Sequence, residues 1–394
     1  MQADVIIAGG GIGGAVLAQL LSRGGQRVIV LERSAAPPNW LRPEILWPAT
    51  IEVLFSLAPQ KVWEQSAMLP LQEIRVHDGR ELVRLVSQEV MTSARVQPWF
   101  TNPNETREQL LRFGSFELRR GVEVTHVLKE RGSVIGVRAR APATGKETEI
   151  LAMWTVGDDG VHSAVRAACN IEMPTRLFPV EFLCTAMPWS DHLPAGTVHL
   201  WPNWRSGQSG LLLFGAGSLP SGKGVGLALV DGRRFDVNPD AAGSWRRFCA
   251  MDPALERLVE GLDFPRDFMR IKRPWGHAPR YGAPGAMIMG DAAHSVSPAG
   301  GQGANMSVAD AVVLAELFLR GEPNLIAEYE RRRRPANERS LGPTRFAHTA
   351  LGLPGWMVPN VCRRAPLHWL SRHPAPVQRV LHSVSSLFLE SSRL

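Results

Sequence analysis

Cysteine is scarce in this 394-residue chain, and its spacing excludes the common thiol sites. No two of the four cysteines have the C-x-x-C spacing of a thiol zinc site or a redox pair. None of the eleven histidines forms an H-x-x-x-H or H-E-x-x-H pattern. We therefore expect free thiols, a reducing compartment and no metal ion.

Long apolar runs are also missing. No stretch of eighteen apolar residues occurs, so the sequence predicts no membrane-spanning helix. Residues 5–21 are apolar, but Asp4 precedes them instead of a basic segment, and they contain five glycines. These features argue against a signal peptide, and we expect a cytoplasmic protein.

The excess of positive charge is confined to one part of the chain. The formal net charge is +7, and the segment from Arg320 onward has twelve arginines against five acidic residues. A nucleic-acid-binding protein would be basic more uniformly, so we expect no such partner. The tail could lie on a membrane surface, but its prolines favour short helices packed on the body or on a second subunit. A monomer or a homodimer is expected.

A glycine-rich turn connects a short apolar strand, residues 4–8, to a helix predicted for residues 15–23. The turn, GGGIGG, contains G-x-G-x-x-G, and Glu32 ends the next strand eighteen residues after Gly14. In this context Gly9 permits the tight turn, Gly11 admits a diphosphate, and Gly14 allows close packing. Glu32 would accept hydrogen bonds from ribose hydroxyls and repel a 2′-phosphate. The alternative is a turn with a purely structural use.

Two further segments follow predicted strands. Residues 157–166 read GDDGVHSAVR, and residues 290–305 read GDAAHSVSPAGGQGAN before a nearly all-apolar helix. Residues 290–305, the third segment, are expected to place another helix N-terminus at the same site. Their glycines allow a flat ligand close to the backbone.

Together the three segments resemble the single-component flavoprotein aromatic hydroxylases, the para-hydroxybenzoate hydroxylase-like family. The resemblance covers residues 1–345 and is most specific in residues 290–305. It implies an α/β fold: a Rossmann-like FAD-binding domain with an inserted antiparallel β-sheet substrate domain and a helical C-terminal tail. The implied boundaries are 1–73, 103–177 and 276–345 for the FAD-binding domain, 74–102 and 178–275 for the substrate domain, and 346–394 for the tail.

The resemblance also implies which residues hold FAD. These are Gly9, Gly11, Ile12, Gly13, Gly14, Glu32, Arg33, Arg42, Arg107, Val127, Asp159, Asp291, Pro298, Gly300, Gly303, Ala304 and Asn305. Arg42 and Arg107 would reach the phosphates, and the Val127 backbone would meet the adenine. The Ala304 and Asn305 N–H groups would meet flavin N1 and O2, where negative charge collects on reduction.

Three residues of the third segment have implied roles beside the flavin. Asp291 would bind a ribityl hydroxyl or bridge to the diphosphate, while Pro298 and Gly300 would border the ring. Asp158 departs from the family, which prefers a small residue there. We expect Asp158 to touch none of the proposed contacts.

The implied activity is that of an FAD-dependent monooxygenase. NADH or NADPH would bind transiently and reduce the flavin, O2 would form a C4a-hydroperoxide, and an aromatic or similar electron-rich small molecule would be hydroxylated. The alternative is a reductase or other flavoprotein that does not transfer oxygen. No catalytic acid or base can be named, and His277 is expected to be a hydrogen-bonded residue near a turn.

Two residue groups have competing interpretations. Trp189, Trp201, Trp204 and Trp275 could line an aromatic pocket, although core packing is the more frequent use of such tryptophans. The run of four arginines at 331–334 could bind anionic lipid or the NADPH phosphate, but a solvated face of a helix that ends at Pro335 is the favoured prediction.

Overall fold

The structure is a computed structural model that describes most of the chain. The described residues are 2–37, 44–66, 68–78, 81–178, 180–188, 195–202, 213–218, 223–231, 253, 256–257, 260–261, 269–272, 274–296, 301–351 and 360–386. Arg42, Pro298 and Gly300, for which contacts with FAD are predicted, lie outside these residues.

Helices and strands alternate at the start of the chain, strands dominate its middle, and helices end it. The strands are β1 Ala3–Ala8, β2 Val28–Glu32, β3 Glu44–Leu46, β4 Met68–Pro70, β5 Glu73–Asp78, β6 Glu81–Val86, β7 Trp99–Thr101, β8 Glu117–Arg120, β9 Glu123–Glu130, β10 Ser133–Ala141, β11 Lys146–Gly157, β12 Thr175–Leu177, β13 Val180–Pro188, β14 Thr197–Pro202, β15 Leu213–Ser218, β16 Lys223–Asp231, β17 Met269–Ile271, β18 Pro274–His277, β19 Gly282–Ala283, β20 Ala286–Ile288 and β21 His294–Ser295. The helices are α1 Ile12–Arg23, α2 Pro48–Leu57, α3 Gln60–Ser66, α4 Gln88–Ala94, α5 Pro103–Arg112, α6 Ala164–Ala168, α7 Gln302–Leu319, α8 Leu325–Leu351, α9 Asn360–Arg372 and α10 Pro374–Ser386, and a 3-10 turn spans Gly290–Ala292.

A parallel sheet carries the glycine turn. Its strand order is β20-β11-β1-β2-β8, with β19 added antiparallel at one edge. The central strand β1 is apolar along its length, and Val5, Ile6 and Ile7 are almost fully buried. Such a continuous apolar strand is typical of a parallel sheet that is covered on both faces.

One face of this sheet is covered by α1, α5 and α7. A side chain at Gly13 would place its Cβ only 1.9 Å from Ser307 Oγ, so this glycine lets α1 and α7 approach closely. Gln19 Nε2 donates to the Leu110 carbonyl at 2.6 Å and joins α1 to α5. The three helices therefore hold the turn between β1 and α1 in a fixed place.

The other face is covered by an antiparallel meander. Strand β11 pairs with β10 in its first half and with β1 and β20 in its second half, and β9 pairs with β10. Val137 and Ile150 pack against Ile6 and Leu31 across the two layers. The segment that follows β11 is thus held at the carboxyl end of the parallel sheet.

The second large sheet has the order β17-β13-β16-β15-β14-β5-β6. All its neighbouring strands are antiparallel except β14 and β5, so the predicted antiparallel insert is confirmed with one parallel pair. Two three-stranded sheets, β3-β7-β4 and β12-β18-β21, lie outside both large sheets in the hydrogen-bonding order.

Residues 74–96, in the segment assigned to the antiparallel insert, form strands only in part. Strands β5 and β6 form a hairpin, but residues 88–94 form α4. The Ser87 Oγ accepts a hydrogen bond from Val90 N at 3.3 Å, and Arg95 ends the helix in the left-handed region with φ 53°. A serine N-cap therefore outweighs the strand-like pattern here.

The interpretation of the arginine run is wrong in two respects. Helix α8 continues through Pro335, because a proline inside a helix removes one backbone donor without necessarily ending it. Arg331 is exposed and pairs with Glu328, as expected of a solvated face. Arg333, by contrast, is fully buried, and its Nε donates to Asp310 Oδ1 at 2.7 Å.

The C-terminal helices pack on the body of the protein. Helix α9 contacts β6, and α10 contacts α2 and α4. Leu367 and Leu381 are the most buried apolar side chains that they contribute in the described residues. In the part of the chain that the structure describes, no helix is both long and apolar enough to cross a membrane.

We expect Arg333→Ala to lower the free energy of unfolding by about 3–5 kcal/mol, because it leaves the buried Asp310 carboxylate without its guanidinium partner. Urea unfolding followed by far-UV circular dichroism measures the loss. Arg331→Ala is the matched control from the same run and should hardly change the midpoint. Equal midpoint shifts in the two variants would contradict the importance of the buried pair.

Candidate functional site

The glycine turn brings the ends of β1 and β11 together. Gly9 has φ 102°, a region that favours glycine, and a Cβ there would lie 2.2 Å from the Asp158 carbonyl oxygen. The Asp158 N–H donates to the Ala8 carbonyl at 2.8 Å. Gly11 precedes the first turn of α1, whose N–H groups have no partner within the helix. The N-terminus of α1 therefore presents free donors to the cleft.

Glu32 lies beside this turn at the end of β2 and is buried. Its Oε2 accepts from Gly10 N at 3.0 Å, and its Oε1 accepts from Ser34 N at 2.7 Å. Each carboxylate oxygen retains a lone pair for a further donor. Two hydrogen bonds from backbone N–H groups thus fix the Glu32 carboxylate at the place where a ribose would lie.

Arg107 is held inside the site by α5. Its side chain is mostly buried, and its Nη2 lies 3.3 Å from Glu108 and 4.0 Å from Glu32. Its Nε and Nη2 nevertheless have no hydrogen-bond partner among the described residues. The Glu108 carboxylate thus lies close to the Arg107 charge without accepting a hydrogen bond from these two nitrogens, which can donate to an additional acceptor such as a phosphate oxygen.

Asp159 and Arg166 hold the segment after β11. Asp159 Oδ2 accepts from Ala164 N at 2.7 Å at the start of α6, and burial raises the pKa of this carboxyl group. Arg166 donates to the Val161 carbonyl at 2.8 Å and to the Ala292 carbonyl at 2.9 Å. The second and third sequence segments are therefore joined directly.

Asp158 contradicts the expectation that it touches none of the proposed contacts. Its Oδ2 accepts from Gly14 N at 2.7 Å, inside the first turn of α1. The same oxygen lies 3.0 Å from the position that a Cβ on Gly11 would take. Its Oδ1 lies 3.3 Å from Ser307 Oγ on α7. Asp158 reaches the helix end through the pairing of β11 with β1, a long-range contact that the local sequence does not indicate.

The third segment is positioned by Asp310. The Gly290 N–H donates to Asp310 Oδ2 at 3.0 Å, and His294 Nε2 lies 2.5 Å from the same oxygen. Gly290 has φ 56°, which permits the sharp turn after β20. Asp291 is half-buried in the 3-10 turn that follows.

The start of α7 is tied to the segment before α2 by Asn305. Its Oδ1 accepts from Trp47 N at 2.9 Å, and its Nδ2 donates to the carbonyls of Ile45 at 3.0 Å and Gly301 at 2.6 Å. Gly303 and Ala304 are half-buried in the first turn, where backbone N–H groups lack intrahelical partners. The side chain of Asn305 thus positions the end of the helix. The resemblance implies a role only for the backbone N–H of this residue.

A cleft of about 640 Å³ runs along the carboxyl ends of the parallel strands. It is lined by Ala8, Gly9, Gly11, Ile12, Leu31, Glu32, Arg33, Ser34, Glu44, Pro103, Asn104, Arg107, Val122, Glu123, Val124, Asp158, Asp159, Gly160, His162 and Ala164. Ligands bind at this edge in open parallel sheets.

Comparison with known proteins identifies the ligand that the chain binds. Residues 2–211 and 264–342 match the family described as "FAD binding domain". The chain belongs to this family. FAD is therefore its cofactor, as the sequence analysis predicted.

The chain is also similar to individual proteins of known name, which differ in the compound named for each. The chain is 27% identical over 383 residues to the phenazine 1,6-dicarboxylic acid hydroxylase PhzS of Lysobacter antibioticus, covering 89% of this chain and 91% of that protein. It is 26% identical to PqsL of P. aeruginosa, solved in complex with 2-aminobenzoylacetate, with a TM-score of 0.75 over 89% of this chain and 96% of that one.

The chain also resembles longer proteins. It is 26% identical over 331 residues to squalene epoxidase 2 of Arabidopsis thaliana, a match that covers 80% of this chain. It spans only 54% and 59% of the length of the two Arabidopsis squalene epoxidases that it matches.

The residues of the cleft fit the adenosine diphosphate half of FAD. The N-terminus of α1 offers neutral donors to an anion, and Arg107 offers two buried nitrogens that make no hydrogen bond within the described residues. Glu32 offers an acceptor for ribose hydroxyls. The flavin half would extend toward the N-terminus of α7, where the first backbone N–H groups have no acceptor within the helix.

The predicted contact residues divide into two groups. Those that line the cleft are Gly9, Gly11, Ile12, Glu32, Arg33, Arg107 and Asp159. Those outside its lining are Gly13, Gly14, Val127, Asp291, Gly303, Ala304 and Asn305. Val127 lies further along the chain than the lining residues Val122, Glu123 and Val124, and its backbone contact with the adenine stays a prediction.

The histidines of this region have structural partners. His277 Nε2 lies 2.5 Å from the Tyr281 hydroxyl, and burial lowers the pKa of His277 to about 4. The interpretation of His277 as a hydrogen-bonded residue is consistent with this contact.

Of the tryptophans considered for a pocket, Trp201 is buried and stacks on His77 with ring centroids 4.2 Å apart. Side chains alternate along β14, so Trp201 points away from the face that bears Val198. Trp275 lies near Phe178, and Trp189 and Trp204 lie outside the described residues. Core packing is the use that the structure supports for Trp201.

We expect Glu32→Gln to weaken FAD binding about ten- to hundredfold, because hydrogen bonds to a charged group contribute about 1.5–3 kcal/mol. Glu32→Lys should weaken it more, since a cation cannot accept from ribose hydroxyls or from Gly10 N. Flavin fluorescence during dilution of the flavoprotein gives the dissociation constants. Glu117→Gln on the exposed end of β8 is the matched control. Unchanged affinity in both Glu32 variants would show that Glu32 is not at the ribose.

Proposed function

We propose that the protein is an FAD-dependent monooxygenase that uses NAD(P)H and O2 to hydroxylate an aromatic or similar electron-rich small molecule. The observation that carries this proposal is the position of the α7 N-terminus between the dinucleotide cleft and an apolar face of the second sheet. Similarity to a phenazine hydroxylase and to an aromatic-ligand complex supports the same class of substrate.

The apolar face belongs to strands β5 and β14. Ile74 and Val198 are paired neighbours on it, and both pack against a cluster that includes Val296 and Met306. Val296 comes just before residues 297–300, and Met306 lies in the first turns of α7. The substrate would lie between this face and the start of α7, in surroundings that exclude water.

The chain's own residues would bind and orient the reactants. When bound, FAD would accept a hydride from NAD(P)H and activate O2. Arg107 and the α1 N-terminus would hold the diphosphate, and Glu32 the ribose. The first N–H groups of α7 would face negative charge on the flavin edge. No residue is assigned as a catalytic acid or base.

A flavoprotein that does not transfer oxygen is the second candidate, and no specific contact favours it. The two candidates differ in their products. With NADH or NADPH and a panel of phenols, anthranilates and quinolones, a monooxygenase should incorporate one atom of ¹⁸O₂ into the product. Substrate-stimulated NAD(P)H consumption without labelled product for any compound would favour the non-oxygenating flavoprotein.

The transient use of NAD(P)H, a monomeric or homodimeric state and a cytoplasmic location stay predictions of the sequence. The proposed domain boundaries at residues 73–74, 102–103, 177–178, 275–276 and 345–346 do so as well.

We expect Asn305→Ala to raise the ratio of hydrogen peroxide to hydroxylated product while FAD is retained. The variant removes two hydrogen bonds that hold the start of α7 to residues 45–47 and a third one to the Gly301 carbonyl, so water should reach the reaction site more easily. Peroxide and product are measured per NAD(P)H consumed under one substrate. Asn324→Ala, at an exposed position after α7, is the matched control. An unchanged ratio in Asn305→Ala would contradict this role.

A further inference from the structure

Asp158 lies where the three glycine segments of the chain meet. Its carboxyl group contacts Gly14 N on α1, Ser307 Oγ on α7 and the space beside Gly11. It also lies 2.5 Å from the position that a Cβ on Gly290 would take. A carboxyl group is therefore built into the anion-binding end of α1.

That place also has to accept the diphosphate of FAD. Helix N-termini stabilise anions through free N–H groups and the helix dipole, and Asp158 already uses one of these N–H groups. An ionised Asp158 would repel the diphosphate at close range, because the repulsion between like charges is stronger in a partly buried site of low dielectric constant than in water. A neutral Asp158 would not.

We infer that Asp158 makes FAD binding proton-linked: its carboxyl group shares the N-terminus of α1 with the diphosphate and binds one proton from solvent in the complex. The inference rests on FAD as the cofactor and not on the substrate or the oxygenation proposed above. It makes Asp158 a residue that sets the affinity for FAD.

The groups around Asp158 favour its neutral form. Burial raises the pKa of Asp158 well above its usual range, the Gly14 N–H and the Ser307 hydroxyl oppose this, and Asp291 and Asp159 raise the pKa further. From α8, Tyr329 faces the same region, and burial raises the pKa of Tyr329 well above its usual range, so it stays neutral. His162 lines the same cleft.

The sign of the pH dependence follows from linkage. A nearby diphosphate raises the pKa of Asp158 above its value in the free protein, so binding takes up a proton. FAD affinity is then fully present below the free-protein pKa and falls as the pH rises toward the pKa of the complex. The dissociation constant increases up to tenfold per pH unit in that window.

The test compares full-length flavoproteins between pH 6 and 9 by flavin fluorescence on dilution. For the wild type we expect a dissociation constant that rises with pH. For Asp158→Asn, which keeps an acceptor for Gly14 N but carries no charge, we expect a smaller slope and at least tenfold tighter binding at pH 9. Asp158→Ala, which removes the carboxyl group altogether, is the second variant and should behave similarly.

Asp4→Asn is the matched control. Asp4 also accepts from a backbone N–H, that of Arg27 at 2.8 Å, but it lies at the opposite end of β1. It should retain the wild-type slope. His162 is present in every variant, so any pH dependence that it causes is common to all of them.

Calorimetric titration with FAD in two buffers of different ionisation enthalpy counts the protons taken up. We expect uptake by the wild type that is reduced in Asp158→Asn. Equal slopes and equal proton uptake in wild type and Asp158→Asn would overturn the inference, as would weaker FAD binding by Asp158→Asn at every pH. A colourless wild-type protein that FAD does not bind would instead contradict FAD as the cofactor.

Discussion

A single buried carboxylate, that of Asp310, joins the parts of the chain that form the flavin site. It accepts from Gly290 N, contacts His294 Nε2 and pairs with Arg333, so it links α7 to the turn after β20, to β21 and to α8. Burial alone would raise the pKa of Asp310, but His294 and Arg333 hold it well below its usual range. Because a buried charge is tolerated only when it is paired, none of these elements can shift independently.

The same network includes the hydroxyl group of Tyr281. Asn337 on α8 donates to Asp310 Oδ1 at 3.3 Å and to the Tyr281 hydroxyl at 3.2 Å, and the guanidinium of Arg334 lies 4.6 Å from the centre of the Tyr281 ring. Burial raises the pKa of Tyr281, which keeps this hydroxyl neutral in the network. Helix α8 thereby supports the strands that lead into the third glycine segment, although it contributes no residue to the lining of the cleft.

Local motifs could be predicted from the sequence, and long-range contacts could not. The glycine turn and Glu32 belong to one strand–turn–helix–strand unit, so their spacing alone places them together. The burial of Arg333 depends on Asp310, which lies on another helix, and the sequence of four arginines contains no signal that distinguishes the third. The contact between Asp158 and Gly14 joins residues 144 positions apart through the pairing of β1 with β11. A family pattern reports such a position as a departure but not what it touches.

The charges of the cleft constrain how it can hold a dinucleotide. Five acidic residues line it, Glu32, Glu44, Glu123, Asp158 and Asp159, against the two arginines Arg33 and Arg107. A diphosphate therefore cannot be held by a general positive field and depends on directed donors, namely the N–H groups of α1 and the two Arg107 nitrogens that make no hydrogen bond within the described residues. Directed donors select for position, since only a ligand whose ribose reaches Glu32 while its diphosphate reaches α1 satisfies both. An additional phosphate on that ribose would meet the Glu32 carboxylate, so the arrangement that binds the adenosine half of FAD also excludes a 2′-phosphorylated dinucleotide from the same cleft.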